Sequence, residues 1–367
     1  MNHIIFHIDV NSAFLSWTAL SLLEQGAKHD LRLIPSVIGG DSKSRHGVVL
    51  AKSSPAKTYG IQTGEPIINA LRKCPSLVIA PPDHSMYKKY SRHFIEYLTS
   101  LCPIIEQVSI DECYMDYSPI SGLYTNPLEA ARYLKDSVRE KFGFTVNIGI
   151  SDRKVLAKMA SDFKKPDCIH TLFSWEIREK MWPLPVDRLY MCGPSSVEVL
   201  RNLEILTIGD LAQADPGIIS LHLKNHGLIL WDFANGRDHS TVDATPYVAK
   251  GIGNSTTLKE DATTYEEACQ VFAFLAESVS GRLKKAGQTA SMVSCEIKYH
   301  TFRTASHQTT LPSPTDSATI IYETACRLFR QLWDETPIRL LGIRTSKLTE
   351  ACAPKQMSLF DFSDFNS

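Results

Sequence analysis

Asp9, near the end of an alternating apolar stretch, and the adjacent pair Asp111 and Glu112 are the residues whose types and spacing could do chemistry. Carboxylates converging from neighbouring strand ends supply hard oxygen ligands to two Mg²⁺ ions about 3.5–4 Å apart. Such a pair serves group transfer from a phosphate ester: one ion lowers the pKa of an attacking hydroxyl, and the other neutralises a triphosphate and its leaving group. Solvated strand-end acids are common, so any one of the three alone carries little. Neighbouring residues on a straight strand face opposite sides, so Asp111 and Glu112 can serve one site only where the backbone turns, at a hairpin tip. A glutamate there is a poor turn residue beside Asn-Gly or Asp-Gly, which points to a role other than turning the chain.

The elements that must position these acids are legible as alternation. Ile4, Phe6, Ile8 and Val10 share one face of a strand whose other face carries Ile5, His7 and Asp9. Residues 104–117 read as two short strands. Pro127 opens a helix with the stripe Leu128, Ala131, Leu134, Val138 and Phe142, and Gly143 stops it. Phe144, Val146, Ile148 and Ile150 alternate along a further strand. Ser151 is the expected cap of a helix that ends before Lys165-Pro166. The order strand, two strands, helix, strand, helix predicts an α+β fold, a sheet with helices on one face. Residues 18–75 are rich in glycine, small residues and lysine, 166–237 read as all-helical, and 238–246 as a polar linker. A last α+β module has strands around 293–299 and 338–342, with helices near 264–286 and 315–334.

Composition bounds the class. The 367 residues are 43% hydrophobic and 22% charged with net charge −1, so any nucleic-acid affinity has to be local. No apolar run approaches the roughly 20 residues of a membrane helix, and the N-terminus lacks the basic region of a signal peptide. Nine cysteines without a Cys-x-x-Cys pair read as reduced thiols of a cytoplasmic protein. His222 and His226 have i, i+4 spacing but lack further ligands for a metal.

The motifs then become specific. Residues 9–14 (Asp-Val-Asn-Ser-Ala-Phe) and 109–114 (Ser-Ile-Asp-Glu-Cys-Tyr) resemble the two palm motifs of Y-family DNA polymerases. The similarity continues through 149–158, 160–166, 251–255 and 338–344, in the family's order and spacing. The resemblance implies a multi-domain right-hand fold: palm 1–17 and 76–165, fingers 18–75, helical thumb 166–237, linker 238–246, little finger 247–349 and tail 350–367. It implies low-fidelity translesion synthesis, a nucleotidyl group passing from a dNTP to the 3′-OH of primer–template DNA. It makes Asp9, Asp111 and Glu112 the ligands of two Mg²⁺ ions, with the Val10 carbonyl as a further ligand. Phe14 matches the aromatic gate that excludes a 2′-hydroxyl, and Lys154 the lysine that meets the triphosphate.

One segment departs from the family. Ser54-Pro55-Ala56-Lys57 stands where relatives carry Tyr-Glu-Ala-Arg, so Ser54 offers no ring and Lys57 no bidentate fork. Residues 191–200 resemble a helix-hairpin-helix that presents backbone N–H groups to a DNA phosphate at Gly193, although Met191 replaces its first glycine. Lys298, Arg303 and Arg344 lie on the polar strand face of the last module and are the expected DNA backbone contacts. Gln356, Leu359 and Phe360 resemble the Gln-x-x-Leu-Phe motif that docks on a sliding clamp. The expected molecule is a monomer with no membrane partner. A nucleotide cyclase on a similar palm, or a catalytically altered polymerase-like protein that binds DNA and clamp, are the alternatives.

Overall fold

The computed structural model describes residues 3–40, 47–246 and 248–351. These form two compact units that divide after Pro246.

In the first unit, β1 (Ile5–Val10) runs into α1 (Ala13–Glu24) through Ser12, whose backbone is left-handed at φ 48°. β2 (Ser36–Gly39), β3 (Val49–Lys52), α2 (Ser54–Thr58), α3 (Ile67–Lys73) and β4 (Val78–Ala80) follow. They make a three-stranded sheet ordered β3-β2-β4 around Val37, Val49, Ile61 and Ile67. Next come α4 (His84–Leu101), β5 (Ile105–Gln107), β6 (Glu112–Asp116), α5 (Pro127–Phe142), β7 (Val146–Ser151), α6 (Lys154–Ser161) and β8 (Ile169–Thr171). The main sheet is ordered β5-β6-β1-β7-β8.

β1 is central, and all six of its residues are buried. Phe6, Ile8 and Val10 pack with Trp17 of α1, Phe94 and Leu98 of α4, and Leu134 and Val138 of α5. The opposite face, with Ile5, His7 and Asp9, is covered by α6, so the expectation of helices on one face only is corrected. Gly149 of β7 makes that cover possible: a Cβ there would overlap the Ala157 carbonyl of α6. Two further expectations change. α1 crosses residue 18 as one helix whose Leu15, Trp17 and Ala19 share the main core, so a boundary there falls inside an element. The stretch after Pro166 is not all helical, because β8 adds to the sheet in parallel beside β7.

The rest of the first unit is helical: α7 (Ile177–Lys180), α8 (Pro194–Asn202), α9 (Ile208–Gln213) and α10 (Pro216–Ala234). α9 is opened by a Thr207–Asp210 capping box, and α10 is broken at Lys224 by non-helical backbone.

The second unit holds β9 (Gly251–Ala262), α11 (Tyr265–Lys285), β10 (Gln288–Tyr299), β11 (Thr304–Thr315), α12 (Ala318–Leu332) and β12 (Ile338–Glu350). Its antiparallel sheet is ordered β11-β10-β12-β9. Val293, Cys295, Ile297 and Tyr299 alternate inward against Phe272 and Val279 of α11 and Phe329 of α12. Among the described residues, the other sheet face carries no helix of this unit.

Candidate active site

Asp9 and Glu112 are directly opposite each other where β1 pairs with β6. The Val10 amide is tied to the Asp111 carbonyl at 3.0 Å. Residues 108–111 connect β5 to β6, and Glu112 is the first residue of its strand, not part of a two-residue turn. Ser109 organises this connection: its Oγ accepts from the amides of Asp111 (3.3 Å) and Glu112 (3.1 Å) and donates to Asp111 Oδ1 at 2.7 Å. The bend lets consecutive carboxylates serve one place.

Two lysines reach the acids from the far end of α6 and just beyond. Lys158 Nζ lies 2.6 Å from Glu112 Oε1 and 3.6 Å from Asp9 Oδ2. Lys165 Nζ lies 3.0 Å from Asp9 Oδ1, and Asp162 bonds both lysines. Burial, then a hydrogen bond with Glu112, raises the Asp9 carboxyl to about 6 against the pull of the two lysines. Burial also raises Asp111, opposed by its Ser109 bond. Lys158 is held above its usual range: burial works against it, and Asp162, Glu112 and Asp9 outweigh that. His7 is neutral, its pKa driven well down by burial and then by Lys158 and Lys165. Its Nδ1 sits 2.8 Å from Ser161 Oγ, and its Nε2 is 3.9 Å from Glu112.

A cleft of about 320 Å³ is lined by Asp9, Val10, Phe14, Asp111 and Lys165 together with Lys52, Lys57 and Thr63. Phe14 is a fixed wall, stacked on Tyr87 with ring centres 4.4 Å apart. Tyr87 is itself tied to Thr18 at 2.9 Å.

The acids fit hard divalent cations: every donor is oxygen, and the Asp9 and Asp111 carboxyls are raised by desolvation and by neighbouring acids, which a cation would relieve. Among the described residues, no three acidic, histidine or cysteine side chains are gathered at ligand spacing. Lysine ammonium groups sit among the carboxylates instead.

Lys154 is elsewhere. Its Nζ bonds both Glu106 oxygens at 2.7 Å and lies over the Tyr114 ring. The reason is helix direction: α6 starts beside Ser151, which pairs with Ile5, and only its last turn reaches Asp9. Ser151 closes β7 and does not cap α6; Asp238 accepts from the Val155 amide at 2.9 Å. Glu106 also accepts from the Asp243 amide, so Lys154 helps fasten residues 238–243 to the sheet.

Ser54 is exposed at the start of α2 and does not line the cleft, whereas Lys57 does. Gly193 is the N-cap of α8, and Met191 keeps a left-handed φ of 66° despite its side chain. In the second unit, Lys298 is half-buried on the helix-free sheet face, and Arg344 is exposed there between Ser294 and Gly253. Arg303 is occupied: it pairs with Asp334 and lies over the Tyr299 ring, 4.2 Å from its centre. Gln356, Leu359 and Phe360 lie outside the described residues. Sequence reasoning missed Ser109, Lys158, Lys165, Lys52 and His7. Only Lys165, immediately before Pro166, carried a positional signal.

A main sheet bearing paired acids at its strand ends is joined in one chain to a smaller sheet, a helical region and a second α+β unit. Residues 8–162 match the impB/mucB/samB family, and residues 249–359 its C-terminal domain. The chain belongs to this family, the Y family of DNA polymerases, the translesion class of DNA-directed DNA polymerases. Its curated relatives carry the name DNA polymerase IV. The protein from Clostridium acetobutylicum is 44% identical over 98% of this chain and 91% of the relative. DNA polymerase IV 1 of Bacillus subtilis is 38% identical over 99% and 86%. A solved Y-family polymerase chimera of Dbh and Dpo4 shares the fold, with a TM-score of 0.81 and 22% identity over 94% of this chain and 98% of that one. No helix among the described residues is long and apolar enough to cross a membrane.

Proposed function

We propose that Asp9, Asp111 and Glu112, with the Val10 carbonyl, hold two Mg²⁺ ions and that the adjoining cleft receives the dNTP. The carrying observation is the direct opposition of Asp9 and Glu112 with Asp111 one residue away on the cleft wall. When bound, the ions supply charge neutralisation and activation of the primer 3′-OH. The chain's own residues do the positioning. Phe14, immobilised on Tyr87, walls the sugar side and excludes a 2′-hydroxyl. Lys57 and Lys165 meet the triphosphate. Lys158 and neutral His7 keep Glu112 in register, and Ser109 aims Asp111. Rate enhancement then comes from orientation and electrostatics.

In this reading the main sheet with α1, α4, α5 and α6 is the palm, and the three-stranded sheet the fingers. α7 to α10 form the thumb, residues 238–246 a linker, and the second unit the little finger. Primer–template DNA is held by the Gly193 turn and by Lys298 and Arg344 on the sheet face; Arg303 is removed from that set because Asp334 holds it. The protein acts as a cytoplasmic monomer that meets the sliding clamp through Gln356, Leu359 and Phe360. A catalytically altered DNA-binding relative is not favoured, since all three acids are in place.

Primer extension with Mg²⁺ and dNTPs tests the site. Templated products are expected from the native chain and none from Asp111→Ala or Glu112→Ala; equal extension by either variant would refute it. A chain ending at residue 351 should extend primers normally alone and lose its stimulation by the clamp. Retained stimulation would rule out the tail as the docking segment.

A further inference from the structure

The last three residues of β3, Leu50, Ala51 and Lys52, all border the cleft, with Leu50 and Lys52 half-buried. Lys52 is the last residue of its strand. Its Nζ donates to the Ile61 carbonyl at 2.6 Å, which uses one of three N–H bonds and fixes the ammonium at the wall. Among the described residues, the acid acting on it is Glu65, whose carboxylate is bonded to Lys73 at 2.7 Å. Burial and the neighbouring charges of Lys57 and Lys73 push the Lys52 pKa down. Positive charge is thus crowded here beyond what the local acids balance, and it borders the same cleft as Asp9 and Asp111.

We propose that Lys52 is a binding residue for the phosphate chain of the incoming nucleotide, forming with Lys57 and Lys165 a grip of three point charges. This rests on the reading of the cleft as the dNTP site. An ordered ammonium with two N–H groups that meet no acceptor among the described residues, half-buried at the cleft, suits a polyanion with several equivalent oxygens. Because lysine imposes no planar fork, three of them recognise charge and spacing rather than one orientation of the γ-phosphate. Ser54, exposed beside the cleft but outside its lining, takes no part.

Equilibrium binding of dATP, with Ca²⁺ in place of Mg²⁺ and a dideoxy-terminated primer–template, separates this role from a mere staple between β3 and Ile61. Lys52→Met should weaken dATP binding by about tenfold, the loss of one charge-assisted hydrogen bond. Inorganic tripolyphosphate, used as a competitor, should lose affinity in the same proportion. Lys52→Arg, which keeps the charge, should stay within about threefold of the native chain. Thermal midpoints recorded on all three proteins show that each is folded. Native affinity of Lys52→Met for both ligands, or a loss for dATP with tripolyphosphate unchanged, would overturn the proposal. Failure of the native protein itself to bind dATP would instead overturn the cleft as the nucleotide site.

Discussion

Around Asp9 the molecule concentrates charge. Two acids and two lysines lie within 2.6 to 3.6 Å of a partner, and Asp9 is only 6% exposed. The helix-free sheet face of the second unit is built the other way. Its shallow hollow of about 310 Å³ is lined by Gly253, Asn254, Ser255, Gly342 and Ile343, with Glu296 and Arg344 as the charged residues. Buried charges at short range interact strongly and have to be placed accurately. Small residues let a partner's backbone come close without dictating its register. The contrast separates a cluster of closely placed charges from an open face lined mainly by small and polar residues.

The sharpest way to break that contrast is Asp9→Asn. Primer extension should fall by on the order of 10³-fold. The same change should stabilise the protein in EDTA, because the folded carboxyl titrates at about 6 against 3.8 unfolded. A folded pKa above the unfolded one means that ionising Asp9 costs stability as pH rises through about 6. Urea denaturation should show a gain of about 2–3 kcal/mol at pH 8 that disappears below pH 4. A variant less stable than the native chain at pH 8 would mean that the lysines outweigh the burial of Asp9.

Phe14→Ala comes next. It should lower discrimination against ribonucleotides by on the order of 100-fold in single-nucleotide incorporation. Unchanged selectivity would remove Phe14 from the sugar wall. The smallest effects belong to the open face. Arg344→Ala should weaken duplex binding modestly and reduce the slope of log affinity against log salt by about 1. Arg303→Ala, whose guanidinium is already held by Asp334, should leave that slope unchanged. Equal effects of the two would show that the Asp334 pair opens on DNA.

The strand carrying Asp9 and the helices at Tyr265–Lys285 and Ala318–Leu332 were legible because their periodicity follows from one apolar face. The burial of β1 on both sides was not, since His7 and Asp9 look like solvent residues until α6 covers them. β9 and β11 escaped notice for a related reason: polar residues in both, and prolines in β11, break the alternation. The choice among Lys154, Lys158 and Lys165 was beyond sequence, because it depends on which end of α6 lies over the strand ends. The sequence placed Glu112 at a hairpin tip, whereas Ser109 makes the bend and Glu112 belongs to its strand, directly opposite Asp9.

Gly149 sits opposite His7 in the ladder and beneath the backbone of α6. Adding a single methyl there would alter no ionisable group, yet it would lift the helix that carries Lys158 and strip Asp9 and Glu112 of their counter-charge. Alanine at 149 would therefore be a charge mutation by proxy, moving an ammonium away from two carboxylates through a hydrocarbon.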